Sequence, residues 1–238
     1  MFLLKRRPVR MFTLTAAACL TFGASAADNS LQAVFQRMNK AAATFKGLTA
    51  DVKRLSHEGA IGEEEIDTGT IAVKLPKPHD FHLLLDLKQP DPKSVEVAGT
   101  KVQIFFPKAN EIQVMDFGRA NRAQMEQFLK LGFGSSSRDL QDGYKVELGG
   151  PEKVDGQDTT RIVLTPKSQD LAAQFPKFEL WIAEAGPNTG IAVQQKFYQP
   201  GNTYNVATYS NMKLNPLIPD SAVRLNAPKG VKITPLKR

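Results

Sequence analysis

Along residues 31–45 the apolar side chains Leu31, Val34, Phe35, Met38, Ala42 and Phe45 recur at intervals of three and four, the spacing that gathers them on one stripe of an α-helix. Ser30 stands before the run as an N-cap and Gly47 just past it as a stop. The polar face (Gln36, Lys40, Thr44) lacks the dense basic band of a membrane-surface helix, so the stripe is expected to pack on a sheet. From Leu48 the period falls to two, through "LTADVKRL", "TGTIAVKL", "FHLLLDLK", "SVEVAGTKVQIFF" and "EIQVMDF", with turn residues between the runs. A meander of strands follows from this alternation. Gly99 supplies the positive φ of a tight hairpin turn, and Pro76, Pro78, Pro90 and Pro92 flank strands rather than interrupt them.

Helical spacing returns over Arg119 to Leu131, with Met125, Phe128 and Leu129 on one side and Gly132 and Gly134 closing the segment. A short helix is expected over Ser137 to Gln141. Strand-like runs then resume as "YKVEL", "TTRIVLTP", "FELWIAE", "IAVQQKFYQP" and "TYNVATYSNMKL", interrupted by "SQDLAAQF", a short helix capped by Ser168. Turn signals about every 8 to 12 residues predict one curved antiparallel sheet and a mainly β fold with covering helices.

Within the meander, "DFHLLLDLKQPD" puts Phe81, Leu83, Leu85 and Leu87 on one face of an extended strand. Four large apolar side chains in a row face either a sealed core or a hydrophobic guest. Periodicity alone leaves both open.

The N-terminus bears on compartment. Lys5, Arg6, Arg7 and Arg10 precede an apolar run from Met11 to Phe22 and then "GASAA", with Ala24 and Ala26 placed for signal peptidase. Residues 1–26 are expected to be a cleaved secretory signal, and residues 27–238 one domain of the periplasm, beginning at Ala27. The apolar run is shorter than the roughly 20 residues a spanning helix needs. Cys19, the chain's single cysteine, follows Ala16, Ala17 and Ala18 rather than the larger aliphatic residue a lipoprotein signal carries three places upstream, and reads as an ordinary residue of that segment. Cleavage would leave no cysteine, so thiol catalysis is excluded and stability must come from the core. The formal charge of +7 falls to near +3 without the four basic signal residues, too mild and scattered for nucleic acid.

Catalytic patterns are missing. His57, His79 and His82 form no H-x-x-x-H pair, and there is no G-x-S-x-G elbow, phosphate-binding loop or G-x-G-x-x-G. "LGFG" and "LGGP" read as glycine turns, and Glu63 to Glu65 as a solvated loop. No metal, cofactor or enzymatic activity is expected; the residues point to binding.

The order of elements, with "KLPKPHDFHLLLDLKQPD", "GTKVQIFFP", the mid-chain helix, "VLTPKS" and "APKGVK", resembles the periplasmic outer-membrane lipoprotein carrier (LolA-like) family over roughly Phe45 to Val231. The resemblance implies an incomplete, strongly curved antiparallel barrel with an N-terminal helix and a mid-chain helical lid, whose hollow holds the acyl chains of lipoproteins. It also implies a monomer that collects lipoproteins from an inner-membrane lipoprotein-releasing transporter and delivers them to an outer-membrane acceptor. A lipid-sensing or lipid-binding regulator on the same half barrel is the alternative. On this resemblance the lipid-binding residues are Phe81, Leu83, Leu85 and Leu87, with Ile104 and Phe106 on a following strand. Met125, Phe128, Leu129 and Phe133 form the lid side, where simple core packing also stays open. The family often carries an arginine before the proline aligned with Pro76, holding the lid closed; this chain has Leu75 there, with Lys74 and Lys77 beside it.

Overall fold

The computed structural model describes residues 30–77, 80–118 and 122–236. The expected signal, Cys19, the start at Ala27 and His79 lie outside the described residues. Helix α1 runs Leu31–Thr44, and the Ser30 hydroxyl accepts a hydrogen bond from the Ala33 amide at 3.2 Å. Its apolar stripe packs on the sheet as expected, burying Ala33, Val34, Phe35 and Met38. The chain turns extended already at Phe45. Gly47 therefore opens the first strand instead of stopping the helix, and a Cβ there would lie 2.4 Å from the Val73 carbonyl oxygen.

Six strands follow in sequence: β1 Gly47–Glu58, β2 Glu63–Lys74, β3 His82–Gln89, β4 Lys93–Ala98, β5 Lys101–Phe106 and β6 Glu111–Asp116. Helices α2 (Arg122–Leu129) and α3 (Ser137–Gly143) lead into β7 Tyr144–Val154 and β8 Gln157–Pro166. Helix α4 (Gln169–Gln174) precedes β9 Lys177–Ala183, β10 Ala192–Tyr198, β11 Tyr204–Leu214 and the short β12 Lys232–Pro235. As expected, Ser168 caps α4 and Gly99 takes a φ of 63° in the β4–β5 turn. Two further differences from the sequence reading appear. Glu63 to Glu65 begin β2, paired with Ser56, His57 and Glu58, although they stay exposed. Strand β12 was not anticipated; its one large apolar residue, Ile233, is itself exposed, so no alternation marks it.

All twelve strands form one sheet in the order β12-β6-β5-β4-β3-β2-β1-β11-β10-β9-β8-β7. Two meanders are thus joined through β1 and β11, from Leu48↔Leu214 to His57↔Tyr204. Every pairing is antiparallel except β12 on β6. Strands β7 and β12 end the order without pairing to each other, so the curved barrel remains open. Among the described residues no helix is long and apolar enough to cross a membrane.

The concave face packs in two clusters. Val34 and Met38 of α1, with Leu131 and Leu140, lie on Ile162, Leu164, Phe178, Leu180 and Ile182 of β8 and β9. Phe45 and Phe133 lie with Leu48, Ala50, Val52, Ile71, Val73 and Leu87 of β1 to β3. Behind β4, on the convex side, the Glu96 carboxylate is buried and accepts the Leu225 amide at 2.7 Å, tying down the segment before β12.

Candidate functional site

Pleating places Leu83, Leu85 and Leu87 on the concave face beside Val73, Ile71 and Gly69 of β2. The register carries that face onward: Leu85 opposes Val95, which opposes Ile104, while Leu83 opposes Val97, which opposes Val102, which opposes Met115. The four-residue row of the sequence divides. Phe81 and Leu87 are 3% and 1% exposed, whereas Leu83 and Leu85 are half-buried at the margin of the second cluster. Beyond them Val95, Val102, Ile104, Phe106 and Met115 belong to neither cluster and are all half-buried. The wing β3–β6 therefore presents a continuous apolar surface that the chain covers only in part.

The mid-chain residues also divide. Phe128 lies 5.5–6.0 Å from the rings of Phe175, Phe178 and Phe197, in the first cluster. Leu129 and Phe133 join the second, and the Phe133 ring meets Tyr209 edge-on at 5.0 Å. Met125 is half-buried. One short segment thus spans both clusters, held by a close approach: Gly134 has a φ of 77°, and a Cβ there would lie 2.5 Å from the Phe45 ring. Movement of this segment would have to release Phe133 from the second cluster. Hydrogen exchange across residues 122–134 is expected to rise on adding an acylated ligand; unchanged protection would make the segment fixed core.

Leu75, where the family arginine would stand, packs against the second cluster. Lys74 is engaged elsewhere: its ammonium lies 2.6 Å from Asp220 Oδ1 and holds that carboxyl below the usual range by hydrogen bond and charge. Lys77 is exposed. Neither lysine is thereby placed on the mid-chain helix.

At the far end of the concave face the apolar pattern breaks. Arg54 and Asp67 oppose each other across β1 and β2, and Arg54 Nε donates to Asp67 Oδ2 at 2.8 Å while Nη2 contacts the same oxygen. Lys93, opposite Leu87, puts its ammonium 3.7 Å from that oxygen. Sequence reasoning missed this layer. Its signal was available, since "VKRL" and "EIDTG" carry opposite charges at positions where the hairpin alternation calls for apolar residues. Neutral polar groups also lie on the concave face: buried Tyr209 donates to Gln195 Oε1 at 2.8 Å, and burial pushes the Tyr144 hydroxyl up to about 12.

Two cavities, of about 150 and 490 Å³, lie elsewhere, one bounded by Val154, Asn188 and Met212, the other by Lys53, Thr68 and Lys88. Neither is lined by the row of leucines. Among the described residues no group of three or more His, Cys, Asp or Glu side chains could hold a metal ion.

No family model and no curated protein matches this chain. Several solved structures are similar. A LolA superfamily protein from Nitrosomonas europaea is 12% identical, with 82% of this chain and 97% of that one covered at a TM-score of 0.43. The Mycobacterium tuberculosis lipoprotein LppX is 14% identical, with 79% and 99% covered at 0.45. A chain of the Pseudomonas aeruginosa MucA/MucB complex is 13% identical, with 82% of this chain and 60% of that one covered at 0.47, so this chain spans about three fifths of its length. What the present chain binds rests on its own residues.

Proposed function

We propose that the chain is a periplasmic carrier that receives the acyl chains of lipoproteins on the concave face of β3–β6 and shuttles them from the inner to the outer membrane, without catalysing a reaction. The observation that supports this is the half-buried apolar wing, in which Leu83 and Leu85 lie at the margin of the second cluster and Val95, Ile104 and Phe106 lie outside both. Each methylene removed from water contributes about 0.8 kcal/mol, so a sixteen-carbon chain is worth on the order of 12 kcal/mol. A carrier has to match that with apolar surface. Without a nucleotide site, release depends on a next site that binds as well or better. An inner-membrane lipoprotein-releasing transporter and an outer-membrane acceptor are the corresponding partners, and the basic and apolar N-terminal segment with "GASAA" supports the compartment.

The test pairs two leucines of one strand with mass spectrometry of co-purified lipid. Leu85→Ala is expected to lower unfolding stability by less than roughly 2 kcal/mol, below the usual range for a packed leucine, and to weaken acyl-chain binding measurably. Leu87→Ala, in the core, is expected to cost about 2–5 kcal/mol. Absence of bound lipid, or a large stability loss at Leu85 with unchanged lipid affinity, would remove the reading. A deletion strain should strand lipoproteins at the inner membrane; normal sorting despite saturable lipid binding would favour a lipid-binding regulator with a protein partner.

A further inference from the structure

We propose that Asp67, Arg54 and Lys93 anchor the head of a neutral, hydroxyl-bearing acyl lipid at the far end of the concave face. This rests on the acyl-chain reading of that face and adds the class of head group. Asp67 is fully buried, yet only one of its oxygens is used: Oδ2 takes the Arg54 donors and the approach of Lys93, while Oδ1 has no hydrogen-bond partner among the described residues. A carboxylate oxygen withdrawn from water and left unpaired is costly, and buried acceptors are nearly always met by a donor. That donor has to arrive from outside the described chain. Lys93 contributes the complementary half. Its ammonium stands 3.7 Å from Asp67 Oδ2, beyond hydrogen-bond range, and its three N–H groups remain available to an acceptor oxygen.

The layer thus offers an acceptor and a donor side by side, directly beyond Leu87, where the apolar row ends. A hydroxyl with a neighbouring ester or amide oxygen satisfies both. Charge selects among heads. Arg54 and Lys93 against Asp67 leave one surplus positive charge, and Glu65, the next outward residue on that face of β2, offsets it. Neither a cationic nor a strongly anionic head is matched, because a cation meets two basic groups and a phosphate meets Asp67 Oδ1. Arg54 and Lys93 keep 25% and 21% of their side chains exposed, which marks the side from which a head group reaches the carboxylate.

The test uses the full chain and displacement of the neutral probe N-phenylnaphthylamine by two lipids of equal chain length. Monopalmitoylglycerol carries hydroxyls beside its ester, whereas methyl palmitate carries the ester alone. The glycerol ester is expected to bind about tenfold more tightly, the scale of one hydrogen bond to a charged acceptor. Asp67→Asn is expected to bring that ratio toward one, whereas Lys93→Met, which leaves the Arg54–Asp67 pair intact, is expected to weaken both esters alike and keep the ratio. A ratio of one in the unmodified protein, unchanged binding of both esters on Lys93→Met, or tighter binding of palmitoyl lysophosphatidate than of monopalmitoylglycerol would overturn the anchor. Binding of methyl palmitate without preference removes the anchor alone, and failure to bind either ester removes the acyl-chain reading as well.

Discussion

Replacing Phe178 by alanine is expected to lower the unfolding free energy by about 3–5 kcal/mol, a large part of the 5–15 kcal/mol typical of a domain. Phe178 has no exposed surface, and its ring stands 5.6–6.0 Å from those of Phe128, Tyr144, Phe175 and Phe197. Four aromatic neighbours fixed by β7, β10, α2 and the end of α4 cannot collapse into the void, so the transfer loss and the cavity cost add. Urea unfolding with an unchanged m-value measures the effect. A loss below about 2 kcal/mol would mean that this side of the barrel, rather than the wing β3–β6, is the adaptable one. The contrast with Leu85→Ala carries the point, because a sealed half and an adaptable half of one sheet answer truncation differently.

The second large effect concerns charge. Arg54→Met removes both donors to Asp67 Oδ2 and leaves a buried carboxylate facing only Lys93 at 3.7 Å. Breaking a buried pair from one side costs about 3–5 kcal/mol, and the remaining lysine places this case near the lower figure. Joining Asp67→Leu to Arg54→Met is expected to restore more than half of the loss, since the unpaired charge is then gone. Thermal or urea unfolding of the two single variants and the double variant closes the cycle. Additive losses would show that the pair does not interact energetically despite its contact.

Much of the architecture was legible because packing on one face writes itself into the alternation. Helix α1 buries one stripe, and strands β1 and β8 bury alternate positions and leave those between them more open, so their periods were readable. Legibility failed where burial failed. The outer half of the β1–β2 hairpin, from Glu63 to Ile66, is exposed on both faces, and its strand is held by cross-strand amides that no side-chain pattern records. The same holds for β12. For the candidate site, the alternation placed Phe81, Leu83, Leu85 and Leu87 on one face but had no means to separate Phe81 and Leu87 from Leu83 and Leu85. That division depends on Phe45, Phe133 and Tyr209 arriving from distant segments.

The junction between β1 and β11 sets when the sheet is completed. Leu48 meets Leu214 and His57 meets Tyr204 only after nearly every other strand has been delivered. Local hairpins such as β4–β5 can assemble at once, but closing so long a loop is entropically expensive and slow. Until the last long strand arrives, the β1–β6 meander with its leucines and the β7–β10 meander with the first cluster remain separate halves. On the carrier reading, acceptance of cargo would then be postponed until the sheet that backs the concave face is complete.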